Sequence, residues 1–327
     1  MTTTHVLETA ETDLTYDVRG PVPVADGRPP LFMIGQPMDA SGFRALASHL
    51  PDRTVITYDP RGLGRSVRKD GRVDHMPEVQ ATDVHAIITA LDAGPVEMFA
   101  SSGGAVTALA LVAAYPDDVS TLVAHEPPLI PPLPDSDAAR RAQLGYLEAY
   151  QAKGQGAGMA AFIAMTSWQG QFTADYFAQP APDPAAFGMP TDDDGSRDDP
   201  LLSDRSAGVT SYRPDVDALA AAPTRVVVAV GEESRGTFTG RTAVATAQCS
   251  VGRRRCSRAT TAASSTVSSA TRASPRRSRG GCGRSSTRID PREGPGVGGW
   301  GIWPRTGKSH DAPRCRRPGQ EPPGTRA

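Results

Sequence analysis

Short apolar runs and longer amphipathic ones alternate along the first part of the chain. HVLETAETDLTYDV (5–18) has the period-two pattern of a hairpin, and PPLFMIG, TVITYDP, PVEMFAS and STLVAHE are buried-type strands closed by turn residues. Between them, residues 77–93 and 103–116 place apolar side chains at helical spacing and end at Gly or Pro. Strand and helix in alternation predict an α/β fold, a mostly parallel sheet with helices on both faces.

The alternation stops at 127–214. ARRAQLGYLEAYQAKG and GMAAFIAMTSWQG are amphipathic helical stretches, and PAPDPAAFGMPTDDDGSRDDP is polar enough to lie at the surface. TRVVVAVG (224–231) then resumes the buried-strand pattern. An insertion of helices after a strand is most simply a helical cap over the sheet. The expected organisation is a domain over 1–248, with the cap at 127–214, and a tail at 249–327.

Charge changes that picture at Gln248. Up to it the chain has 18 Lys and Arg against 32 Asp and Glu; beyond it, 17 against 4, so a body at −14 meets a tail at +13. The four cysteines, Cys249, Cys256, Cys282 and Cys315, all lie in the tail, at spacings that fit neither a zinc pair nor a redox pair. A body free of cysteine needs no disulfide. MTTTHVLETAETD lacks the basic start and apolar run of a signal peptide, and no stretch reaches the roughly 18 apolar residues of a membrane span, so we expect a cytoplasmic protein without a membrane partner.

The stretch with most chemistry is Ala100-Ser101-Ser102-Gly103-Gly104, between strand VEMFA and helix GAVTALALVAAYP. A small-x-Ser-x-small turn at that junction forces the central residue into a strained conformation and lifts Ser102 Oγ above the sheet at a helix N-terminus. An ordinary N-capping serine would leave the same string. Two other segments bear on the choice. One is Gly35-Gln36-Pro37 at the end of a buried strand, where a tight turn can aim the Gln36 N–H at the same point as that of Gly103. The other is TYDPRGLGRS (57–66), a strand followed by Asp-x-Arg-Gly-x-Gly-x-Ser.

In this order and spacing, these segments resemble the α/β-hydrolase family over roughly residues 5 to 248, including HEPP (125–128) leading into the cap. The resemblance implies a serine hydrolase acting on a small or medium ester, lactone or amide through an acyl-enzyme, with no metal or organic cofactor. It makes Ser102 the nucleophile, Gly103 and Gln36 the backbone oxyanion donors, and Asp59 and Arg61 members of a loop that organises the floor of the site. The family's acid follows a late strand in a turn resembling Gly-Glu-x-Asp. Here that stretch is Gly231-Glu232-Glu233-Ser234, so Glu233, or Glu232, would orient a histidine.

A serine hydroxyl needs a base, and the family's histidine follows the last strand. After Glu233 the chain holds only His310, in GKSHDAPRCRR, with neither strand before it nor helix after it. His125 lies between the serine and the acid, where a packed, hydrogen-bonded histidine is expected. The tail is rich in Arg, Ser, Thr, Ala, Gly and Pro, the vocabulary of a GC-rich gene read out of frame. With GC-rich codons, Ser257 to Thr266 (SRATTAASST) read one base earlier can give Phe-Pro-Gly-Asp-His-Gly-Gly-Phe-Leu-Asp. Continued, the shifted reading places Phe, Leu, Val and Leu at helical spacing. We therefore expect 257–281 to be out-of-frame coding for the last strand, the catalytic histidine and the last helix, with the slip between about Ala243 and Cys249. Activity of this exact chain would then be severely reduced, and the tail disordered.

Two other readings stand beside this one. Sixteen arginines in the tail could engage nucleic acid, but without interleaved aromatics or a reading motif a solvated tail outweighs it. A cofactor-free relative could also run peroxide or lyase chemistry on the same scaffold, and nothing in the sequence separates these.

Overall fold

The computed structural model describes residues 2–22, 24 and 27–249. Its strands are β1 (Thr2–Glu8), β2 (Thr12–Arg19), β3 (Leu31–Gln36), β4 (Val55–Tyr58), β5 (Val67–Arg68), β6 (Val96–Ser102), β7 (Val119–His125) and β8 (Arg225–Ala229). Its helices are α1 (Arg44–Ser48), α2 (Pro77–Leu91), α3 (Gly103–Ala114), α4 (Ser136–Ser167), α5 (Ala174–Phe177), α6 (Ala207–Ser211), α7 (Val216–Ala221) and α8 (238–249). Residues 250–327, including His310 and the 257–281 segment read as out of frame, lie outside the described residues.

The strands form one sheet in the order β1-β2-β4-β3-β6-β7-β8, with β5 pairing β2. From β4 to β8 every neighbouring pair is parallel, while β2 runs antiparallel to β1, β4 and β5. This is the mostly parallel α/β architecture that the alternation predicts, with the early hairpin as its antiparallel margin.

Strand periodicity assigns the two faces. Phe32, Ile34, Met98, Ala100, Leu122 and Ala124 point to the side packed by α2, α3 and α7, the main core. Met33, Val55 and Phe99 point to the other, where Phe43, just before α1, and Ala47 of α1 meet them. Over β7 and β8 that second side is thinly covered among the described residues. Thr121, Val123 and His125 are half-buried there, and no side chain of β8 is fully buried.

Between β7 and β8 the chain builds its helical layer, and α4 dominates it. The two helical stretches expected from sequence are joined end to end and broken at Gly154, whose φ of 81° and ψ of −171° leave the helical region. Only glycine suits this place: a Cβ would lie 2.4 Å from Asp193 Oδ1, and one on Gly156 would lie 1.8 Å from the Pro190 carbonyl oxygen. The polar loop after α5 thus crosses directly over the break. A second core holds this layer together, with Tyr150 fully buried among Ile130, Leu133, Met165 and Leu202. Phe238 and Ala245 of α8 join that core, and Asp135 pairs with Arg241, so α8 is fastened to the helical layer.

Candidate active site

Ser102 ends β6 and precedes α3 with φ 56° and ψ −127°, one of three non-glycine residues with positive φ among those described. Such a conformation is costly and persists only where its surroundings fix it. Here they do. Ala100 is fully buried under the turn. A Cβ on Gly104 would sit 2.7 Å from Gly35 Cα and 2.8 Å from the Ile34 carbonyl oxygen, so α3 begins in contact with the backbone of β3. The turn therefore needs small residues on both sides of Ser102.

Parallel pairing sets Gln36 of β3 opposite Ser102 of β6. Gly103 lies close against it: a Cβ there would be 3.0 Å from the Gln36 carbonyl oxygen and 3.1 Å from Gln36 Cβ. The first N–H groups of α3 have no partner inside the helix, and its dipole is positive at that end. Ser102, Gly103, Gln36 and Pro37 line one cavity of about 70 Å³, closed by Tyr146, Phe162, Met165, Leu201 and Val209 and by Phe238 and Thr239 of α8. The Gln36–Pro37 peptide is cis.

Asp59 and Arg61 lie one shell away, both almost fully buried. Asp59 accepts the Ala40 N–H at 2.9 Å and the Arg65 N–H at 2.8 Å, with Arg65 Nε at 2.7 Å. Burial pushes its carboxyl upward, but these donors outweigh it and hold it below the usual carboxylate range. Through Ala40, Asp59 holds the turn that follows Gln36 and Pro37. Arg61 grips Asp83 of α2 with two bonds of 2.6 Å, tying the same loop to the main core.

Neither carboxylate expected as the acid is among the described residues that line the Ser102 cavity. Glu232 and Glu233 are both exposed in the turn after β8. The carboxylate held at this end of the sheet is Glu126, just past β7, with φ 49°. It accepts the Gly231 N–H at 2.9 Å and the Thr239 hydroxyl at 2.7 Å. Burial works to raise the Glu126 carboxyl, yet hydrogen bonds from Ser234, Thr239 and Gly231, and the neighbouring His125, hold it below its ordinary value. HEPP after a strand is the signal of Glu126 in the sequence, but nothing local in Glu-Pro-Pro shows that Gly231 and Thr239 reach it from more than a hundred residues away.

His125 is packed and hydrogen-bonded, but against Ser101: its Nδ1 lies 3.1 Å from Ser101 Oγ and its Nε2 lies 3.7 Å from Glu126 Oε1. Ser102 lines the cavity described above, whereas Ser101 turns to His125. The structure thus gathers Ser102, Gly103 and Gln36 at one cavity and leaves Glu233 apart from them. Among the described residues no cluster of His, Cys, Asp or Glu could hold a metal ion, and no helix is long and apolar enough to cross a membrane.

Comparison with known proteins agrees with this architecture. Residues 31–165 match the family model described as alpha/beta hydrolase fold. An uncharacterized hydrolase of Bacillus subtilis (strain 168), YraK, is 33% identical over 125 residues, 38% of this chain and 44% of that protein. The chain thus matches less than half the length of this curated relative. Solved structures that the chain matches include an alpha/beta hydrolase from Sphaerobacter thermophilus DSM 20745 (20% identity, TM-score 0.47, 75% of this chain and 88% of that one). A thermophilic esterase from Thermogutta terrifontis, malate bound, is also similar (20% identity, TM-score 0.45, 75% and 97%).

Proposed function

We propose that this chain, whose residues 31–165 match the alpha/beta hydrolase fold, is a serine hydrolase of that family that cleaves a small ester, lactone or amide by acyl transfer to Ser102. The observation that carries this is the strained backbone of Ser102, held at φ 56° by the approach of Gly104 to β3 and opening on a cavity it shares with Gly103 and Gln36. A serine that only capped α3 would need no such strain, and Ser102 makes no side-chain capping bond to that helix.

In the mechanism, Ser102 Oγ attacks the substrate carbonyl while a base removes its proton. The oxyanion that forms is met by the N–H groups of Gly103 and Gln36, and water then releases the acyl group. The base comes from the segment that the shifted reading of 257–281 restores, which places His-Gly-Gly after a strand. In this chain as written, turnover is therefore slow and the oxyanion donors supply what remains. Glu126 supports the role of acid better than Glu233 because it is half-buried, ionised and firmly held.

Reaction with a fluorophosphonate probe, followed by mass spectrometry, together with p-nitrophenyl ester hydrolysis, tests the assignment. Wild type is expected to carry the label on Ser102, and Ser102→Ala to lose both the label and hydrolysis above background. Label on Ser101, or hydrolysis that survives Ser102→Ala, rejects it.

A further inference from the structure

Gln36 is 3% exposed, yet neither Oε1 nor Nε2 of its side chain has a hydrogen-bond partner among the described residues. It lines the same cavity as Ser102. Other polar side chains of that wall are engaged within the protein: Gln143 Nε2 donates to Thr210 Oγ1 at 2.6 Å, Thr166 to the Phe162 carbonyl at 2.9 Å, and Thr239 to Glu126. The remaining lining is mostly apolar.

A buried carboxamide with no partner is a net loss to the fold, and a leucine or methionine of similar volume would remove that loss. The fold gains nothing from amide chemistry at this position, whereas a ligand would. The carboxamide offers an acceptor and two N–H donors in one plane. In a cavity of about 70 Å³ the group that meets it must be small. A hydroxyl is the smallest that both donates, to Oε1, and accepts, from Nε2.

We propose that the Gln36 side chain is a specificity-determining group that selects substrates with a hydroxyl beside the scissile carbonyl, that is, small 2-hydroxyacyl esters. The backbone of the same residue faces the oxyanion, so one residue would read the carbonyl and its neighbouring carbon together. This rests on the reading of Ser102 as the site of acyl transfer.

The test compares the full chain with Gln36→Leu and, should that variant fold poorly, Gln36→Met. Selectivity is the ratio of kcat/KM for p-nitrophenyl glycolate to that for p-nitrophenyl propionate, which differ by hydroxyl against methyl. The ratio is expected to fall at least ~10-fold in either variant, because a site that pairs a hydroxyl discriminates strongly against its absence. Without ligand, the melting temperature of the variants should rise by a few degrees as the unpaired amide is removed.

Ligand-observed NMR with glycolamide and propanamide reads recognition without turnover, and wild type should favour glycolamide where the variants do not. If this binding preference is lost in the variants but wild type takes no fluorophosphonate label on Ser102, the role of Gln36 stands and the nucleophile reading falls; absent turnover alone reflects the missing base. An unchanged selectivity ratio, an unchanged binding preference, or a melting temperature lowered in both variants overturns the assignment.

Discussion

At the scale of single residues, the structure separates side chains that act through geometry from those that act through charge. Arg61 and Asp83 are both buried and joined by two bonds, and burial pushes the Asp83 carboxyl upward against the pull of Arg61. Arg61→Met leaves that carboxylate without its partner and is expected to cost about 3–5 kcal/mol in urea unfolding, with much of the loss recovered when Asp83→Leu is added. His75 is a second case. Burial, then the charges of Arg68 and Arg205, lower its pKa to about 4 from an ordinary 6.5. Between those values the unfolded chain binds a proton that the folded one does not, so stability is lost as pH falls from 6.5 to 4. The loss is about 3 kcal/mol over that window, and His75→Gln should flatten it in denaturation curves recorded across the range. The sequence displayed Ser102, Gly103 and Gln36 because strand, turn and helix signals sat around them. It did not display Glu126, whose role depends on partners brought in from β8 and α8, nor the missing partners of Gln36, which only packing can reveal.

At the scale of elements, the junction of β6 and α3 is held by backbone packed against backbone. A methyl group on Gly104 meets backbone atoms of β3, which cannot swing aside as a side chain can. Gly104→Ala is expected to destabilise by about 1–3 kcal/mol through overpacking, and to displace Ser102 enough that fluorophosphonate labelling slows out of proportion to the loss of fold. Thermal unfolding and labelling rates measured on the same sample separate the two effects. The strands and main helices were legible because each carries one dominant period over enough residues, as in TVITYDP and PEVQATDVHAIITALDA. The joining of two expected helices into a broken α4 was less so. Its cause is the approach of Asp193 and Pro190 to Gly154 and Gly156, a contact between segments with no shared sequence signal.

At the scale of the whole molecule, the sheet is well packed at β3, β4 and β6 and thinly covered at β7 and β8 among the described residues. A restored frame over 257–281 would supply a strand and a helix of the kind that side lacks. Expressed beside the present chain, the restored form is expected to melt at a higher temperature, stay monodisperse at concentrations where the present form aggregates, and hydrolyse p-nitrophenyl esters faster. Equal stability and equal rates in the two forms would show that the tail replaces nothing. Among the described residues the walls of the Ser102 cavity, by contrast, come from between Gln36 and Thr239, upstream of the point where composition changes. On the proposed reading, holding a ligand and transforming it would be encoded in successive stretches of the gene, and a lesion in the second would abolish turnover yet leave a receptor.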